Sequence, residues 1–124
     1  MRPTLLSLLF LELPVLAQTK LVTEFPNGAT ALTPEAMKAR SAPGAEFSFR
    51  SAEGYAVRMS FQDGGQAAIT APVASDAGRC RIEGSSVCFE LRRFPSGCSE
   101  VRLVGDALYW KRASNDEVVK LDQK

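Results

Sequence analysis

The sequence predicts a mainly β protein, a small antiparallel meander of about eight short strands preceded by one short helix. Three observations predict it. From Ala45 onward apolar residues recur at every second position, the period of a half-buried strand. Turn residues interrupt that pattern at short intervals, as at Asp63-Gly64-Gly65, Gly84-Ser85 and Gly105-Asp106. No segment of helical period lies between the strands to carry parallel crossovers.

Residues 18–31 read as irregular, with a Phe25-Pro26-Asn27-Gly28 turn. Leu32-Thr33-Pro34-Glu35 is a helix start. Thr33 supplies a capping hydroxyl, Pro34 suits the first helical position and Glu35 the positive end of the dipole. Leu32 and Met37 have the spacing of a hydrophobic staple. Ser41-Ala42-Pro43-Gly44 stops the helix, which is expected over residues 34–41.

Phe47 and Phe49 then alternate with Glu46, Ser48 and Arg50, and Tyr55, Val57, Met59 and Phe61 alternate with Ala56, Arg58, Ser60 and Gln62. A three-residue loop at Asp63–Gly65 pairs Phe61 with Ala67 and Met59 with Ile69. Residues 72–77 read as a loop and 78–83 as a strand. A tight hairpin at Gly84-Ser85 then sets Ile82 opposite Val87, Cys80 opposite Phe89 and, on the other face, Arg79 opposite Glu90. Val87, Phe89 and Leu91 continue the alternation, and Phe94–Gly97 breaks it. Val101 and Leu103, Leu108 and Trp110, and Val118 to Leu121 supply the remaining strands. A meander of this kind buries its apolar face and protects its edges by closing into a barrel of lipocalin- or avidin-like build. A two-sheet sandwich is the alternative.

The first 17 residues, MRPTLLSLLFLELPVLA, have another character. A basic start at Arg2, an apolar stretch from Leu5 to Leu16 and small residues before Gln18 make the three-part pattern of a secretory signal. The run is shorter than the roughly 20 residues a membrane span needs. The expected organisation is a signal peptide over 1–17 and a single β-rich domain over 18–124, in the periplasm or secreted; a retained N-terminal helix or anchor is the alternative. Lys and Arg number 15 against 14 Asp and Glu, a net charge of +1 that gives no long-range attraction to nucleic acid or anionic lipid.

Export would place Cys80, Cys88 and Cys98 in an oxidising compartment. The hairpin register sends Cys80 inward and Cys88 outward, so those two do not meet. Cys88 and Cys98 are therefore the expected disulfide, with Cys80 a small apolar core residue; three free thiols are the alternative.

Catalytic chemistry has little to draw on. The chain has no histidine, which removes Ser-His-Asp and Cys-His catalysis and every His-based metal site. The cysteine spacing is not that of a zinc site, and no cofactor motif is present. Carboxylates such as Glu46, Asp63, Asp76, Glu83, Glu90 and Glu100 fall mostly on outward or turn positions. Arg58, Arg79 and Arg81 share the outer face, where Glu83, Glu90 and Glu100 are available as partners. The aromatic residues either fill the barrel or line a ligand cavity. Tyr55, Phe47, Phe49 and Trp110 are the candidate ligand-binding residues.

The segments Leu32–Lys38, Asp63-Gly64, Gly78–Ile82, Val87-Cys88, Gly97-Cys98 and Gly105–Tyr109, in that order, resemble small exported proteobacterial proteins of unknown function. Those proteins join an N-terminal helix to strands with an Asp-Gly turn, a Gly-x-Trp strand and a two-cysteine loop. The resemblance implies export and a β-rich fold with a disulfide, and no activity. It departs from the pattern at Cys80, where tryptophan is usual. Periplasmic lysozyme inhibitors are similar in size, export and disulfide-braced barrel, but their Ser-Gly-x-x-Tyr segment is missing here. The expected function is a non-enzymatic binding module for an unknown small molecule or envelope protein. The alternative is an inhibitor of an envelope-attacking enzyme, such as a lysozyme or protease, working through the Phe94–Gly97 loop.

Overall fold

Eight consecutive strands close into an antiparallel barrel in the computed structural model, which describes residues 21–124. The segment 1–17 read as a signal peptide lies outside the described residues. The barrel strands are β2 (Glu46–Arg50), β3 (Ala56–Gln62), β4 (Gln66–Thr70), β5 (Ser75–Glu83), β6 (Ser86–Glu90), β7 (Gly97–Val104), β8 (Ala107–Lys111) and β9 (Val118–Gln123). Each pairs with its neighbour in sequence, and β9 returns to β2, with Phe47 opposite Gln123. That last pairing separates a closed barrel from an open sandwich.

The expected registers hold. Phe61 faces Ala67, Met59 faces Ile69, Ile82 faces Val87 and Cys80 faces Phe89. Outside the barrel Arg81 meets Glu83 at 2.5 Å and Arg102 meets Glu100 at 2.6 Å, solvated pairs of small energetic weight.

Helix α1 (Pro34–Arg40) closes one end. Thr33 Oγ1 accepts the Ala36 amide at 3.1 Å, Pro34 opens the first turn, and Lys38 and Arg40 sit in the last. The helix is one residue shorter than expected because Ser41 caps it, its hydroxyl donating to the Met37 carbonyl at 2.6 Å. Leu32 and Met37 are both buried, and with Phe47, Phe61, Val87, Val101 and Leu108 they fill the barrel beneath the helix. The tight turns at 63–65, 84–85 and 105–106 share that end. The longer connections, 51–55, 71–74, 91–96 and 112–117, lie at the other.

Three expectations are corrected. The segment before the helix is not wholly irregular. It forms a short strand β1 (Thr30–Ala31) on β7 and runs over the outside of the barrel, with Phe25 under Arg102 and the Val22 carbonyl accepting the Val118 amide. That cover explains why Val118 is buried although its parity points outward. The stretch 72–77 is not all loop, because Ser75–Ala77 already pairs with Ala68–Thr70 as the start of β5. Cys80 packs against the core, as expected, but is only half-buried.

The Cys88–Cys98 disulfide joins the paired strands β6 and β7 on the outer face. Its Cys88 half is buried, 2% exposed. Glu83 approaches both sulfurs, but a disulfide offers no thiolate for a metal to bind.

Candidate functional site

Along the barrel interior the aromatic rings form a connected column. Phe47 meets Phe61 edge-on at 6.0 Å, Phe61 stacks with Phe89 at 6.2 Å, and Phe89 leans on Trp110 at 5.7 Å. The column begins in the filled half under α1. It ends in a cavity of about 150 Å³ in the half with the long loops. Phe49, Met59, Ile69, Phe89 and Trp110 are its apolar wall, Leu91, Phe94 and Pro95 reach it from the 91–96 loop, and Ala113 and Ser114 from the 112–117 loop.

The two loops at the mouth are fixed by carboxylates. Asp76 occupies an inward position of β5, and its Oδ2 accepts three consecutive amides, from Arg92 (3.0 Å), Arg93 (2.5 Å) and Phe94 (3.0 Å), while Oδ1 accepts that of Ala77 (2.8 Å). Ser96 Oγ accepts the Leu91 amide at 2.8 Å and closes the same loop from within. Where β6 ends and the loop begins, the chain passes so close to β5 that residue 78 has no room for a Cβ: one there would strike the Glu90 carbonyl oxygen. Glycine at 78 is therefore a packing requirement.

On the other side Glu117, 4% exposed, accepts Arg112 Nη1 at 2.7 Å through Oε1 and the Ala52 amide at 2.8 Å through Oε2. It thereby ties the 112–117 loop to the 51–55 loop. The Arg112 guanidinium lies 5.2 Å from the centre of the Phe49 ring, so the pair is held against the cavity wall.

The amide of Phe94 first, then those of Arg93, Ala77 and Arg92, hold the Asp76 carboxyl below its ordinary value against an opposing effect of burial. A carboxylate lowered on folding stabilises the fold above its unfolded pKa and loses that contribution as pH falls through the folded value. Amide exchange protection at Arg92, Arg93 and Phe94 is therefore expected to fall selectively in acid, below about pH 4, before the barrel core loses its own. Protection at those three amides that is the same in Asp76→Ala as in the native protein would contradict the latch.

No family model matches the sequence, and no characterised protein or solved structure is significantly similar to it.

Of the four candidate ligand residues, Phe49 and Trp110 line the cavity. Phe47 does not, because its place at the start of β2 puts it in the filled half under α1. Tyr55 has inward parity but precedes the first residue of β3, and there on the rim it is 55% exposed. Val73, on the neighbouring 71–74 loop, is 92% exposed. The polar members of the site were not found by sequence reasoning. By residue type Asp76 groups with the scattered surface carboxylates, although its position in the inward row with Gly78 and Cys80 is a usable signal. Arg112 and Glu117 sit in an irregular connection where parity says nothing. Burial raises the pKa of the free Cys80 thiol, which keeps it protonated and unreactive at neutral pH.

Proposed function

We propose that this chain is a non-enzymatic binding module that takes a small, largely apolar ligand into the open half of the barrel. The observation that carries the reading is the cavity itself. The half of the interior beneath α1 keeps only about 20 Å³ free, while the other half keeps about 150 Å³ free behind loops that are pinned in place. A void of about this size with apolar walls accommodates one benzene-sized group. Both carboxylates of the site are committed to structural hydrogen bonds, Glu117 to Arg112 and Ala52 and Asp76 to the 92–94 amides, which favours binding over catalysis. The inhibitor reading stands second, because Phe94 and Pro95 of the loop it would use are turned to the cavity.

Export to the periplasm or beyond belongs to the same proposal. The disulfide supports it, and no helix among the described residues is long and apolar enough to cross a membrane. The resemblance to small exported proteobacterial proteins points the same way.

The test uses the single tryptophan of the chain as a reporter. With ¹⁵N-labelled protein, benzene is expected to shift the indole resonance of Trp110 saturably, together with amides of Phe49 and Phe89. Resonances of Leu32 and Met37, in the filled half, are expected to stay still. An indole resonance that does not move up to the aqueous solubility of benzene would overturn the cavity reading.

A further inference from the structure

Resting on the cavity reading, the site can be assigned a narrower ligand class. We infer that it selects a compact neutral molecule with an apolar body and one hydrogen-bond-accepting oxygen of the carbonyl type, in preference to a hydrocarbon or a carboxylate of the same shape.

The first observation is Ser99. It is 2% exposed, occupies an inward position of β7 opposite Val87, and lines the cavity. Its hydroxyl takes part in none of the side-chain hydrogen bonds among the described residues, whereas the hydroxyls of Ser41, Ser51 and Ser96 all do. Yet among the described residues no side-chain polar atom that is fully sealed off lacks a partner. The Ser99 hydroxyl therefore borders free space, and the free space beside it is the cavity. A buried hydroxyl facing an apolar void gains most from a ligand atom that satisfies it.

The second observation is the donor character of the wall. Besides Ser99, the cavity is lined by Trp110, whose indole offers only a donor, and by Arg112, whose guanidinium offers only donors. The hydroxyls of Ser99 and Ser114 can donate as well as accept, so every polar side chain of the lining can donate to an acceptor on the ligand.

The third observation sets the charge of that acceptor. Arg112 is already neutralised by Glu117 at 2.7 Å, and Glu117 is itself buried. A ligand carboxylate would enter beside a buried carboxylate with no unpaired cation to meet it, and burial of an unpaired charge is costly. A neutral carbonyl oxygen takes the same hydrogen bonds without that cost.

Three isosteres test the assignment on the full chain, with the Trp110 indole resonance and calorimetry as readouts. They are acetophenone, α-methylstyrene (a methylene in place of the oxygen) and benzoate. Acetophenone is expected to bind about five- to tenfold more tightly than α-methylstyrene, the effect of roughly one net hydrogen bond. Benzoate is expected to bind more weakly than either. Ser99→Ala should reduce the preference for acetophenone and leave α-methylstyrene affinity unchanged.

Equal binding of the ketone and the hydrocarbon would overturn the head-group assignment while leaving the cavity reading intact. Tightest binding of benzoate would show that Arg112 acts as a free cation and would overturn the neutral preference. Failure of all three, with benzene also silent at Trp110, would overturn both readings together.

Discussion

Phe89→Ala is expected to destabilise the protein by about 3–5 kcal/mol, the range for removing a buried ring and leaving part of its space empty. The ring joins the stacked contact with Phe61 to the tilted one with Trp110, so its loss interrupts the aromatic column at its middle. It also forms part of the cavity wall, so the vacancy opens into existing free volume and the barrel gains little by relaxing. For a domain of about this length the loss corresponds to a fall in Tm of about 15–25 °C. Thermal unfolding followed by circular dichroism measures it. Benzene should recover more Tm in this variant than in the native protein, because ligand that binds only the folded state stabilises it. A change below about 1 kcal/mol would mean that the column is not a structural unit.

Replacing Cys88 and Cys98 together by alanine is expected to cost about 2–3 kcal/mol. The bridge spans a sequence separation of 10 and constrains the unfolded chain across the 91–96 connection. The effect is expected to be local as well as global. The bridge sits where β6 hands over to β7, beside the mouth loop that Asp76 also holds, so exchange protection at Arg92–Phe94 should drop more than protection in β3 and β4. Chemical denaturation of the double variant, compared with the native protein under oxidising conditions, gives the number. Equal stability of the two would show the bridge to be redundant with the strand pairing beneath it.

The sequence was most informative where side chains repeat at a fixed period. Phe61, Met59, Ile82 and Cys80 were placed opposite their partners by alternation and turn length alone, because a shift of one residue would have turned every apolar group outward. The Cys88–Cys98 pairing followed from the same parity. Closure of the barrel was less legible. It rests on β9 meeting β2, a contact between segments far apart in the chain that no local pattern encodes.

The site was legible only in its apolar part. Phe49 and Trp110 belong to the alternation; Ser99 belongs to it too, but a serine among apolar residues carries no mark of whether its hydroxyl is bonded. Arg112 and Glu117 depend on the path of a connection in which Asp116 adopts a positive φ of 63° and Asn115 Oδ1 accepts the Glu117 amide. That path is a property of the folded loop, invisible in residue periodicity. Tyr55 is the converse case: it has inward parity, but the strand begins one residue later, at Ala56.

The return of β9 to β2 has a consequence for how the chain is made. All other neighbours in the barrel are also neighbours in sequence, so each hairpin can form as soon as its second strand is available. β2 alone must wait, with one edge unsatisfied, until Val118–Gln123 has been synthesised. A nascent chain of this design stays an open ribbon through most of its elongation and becomes a cylinder in its final step. Only in that step does the barrel acquire its enclosed interior, and with it the cavity behind the long loops.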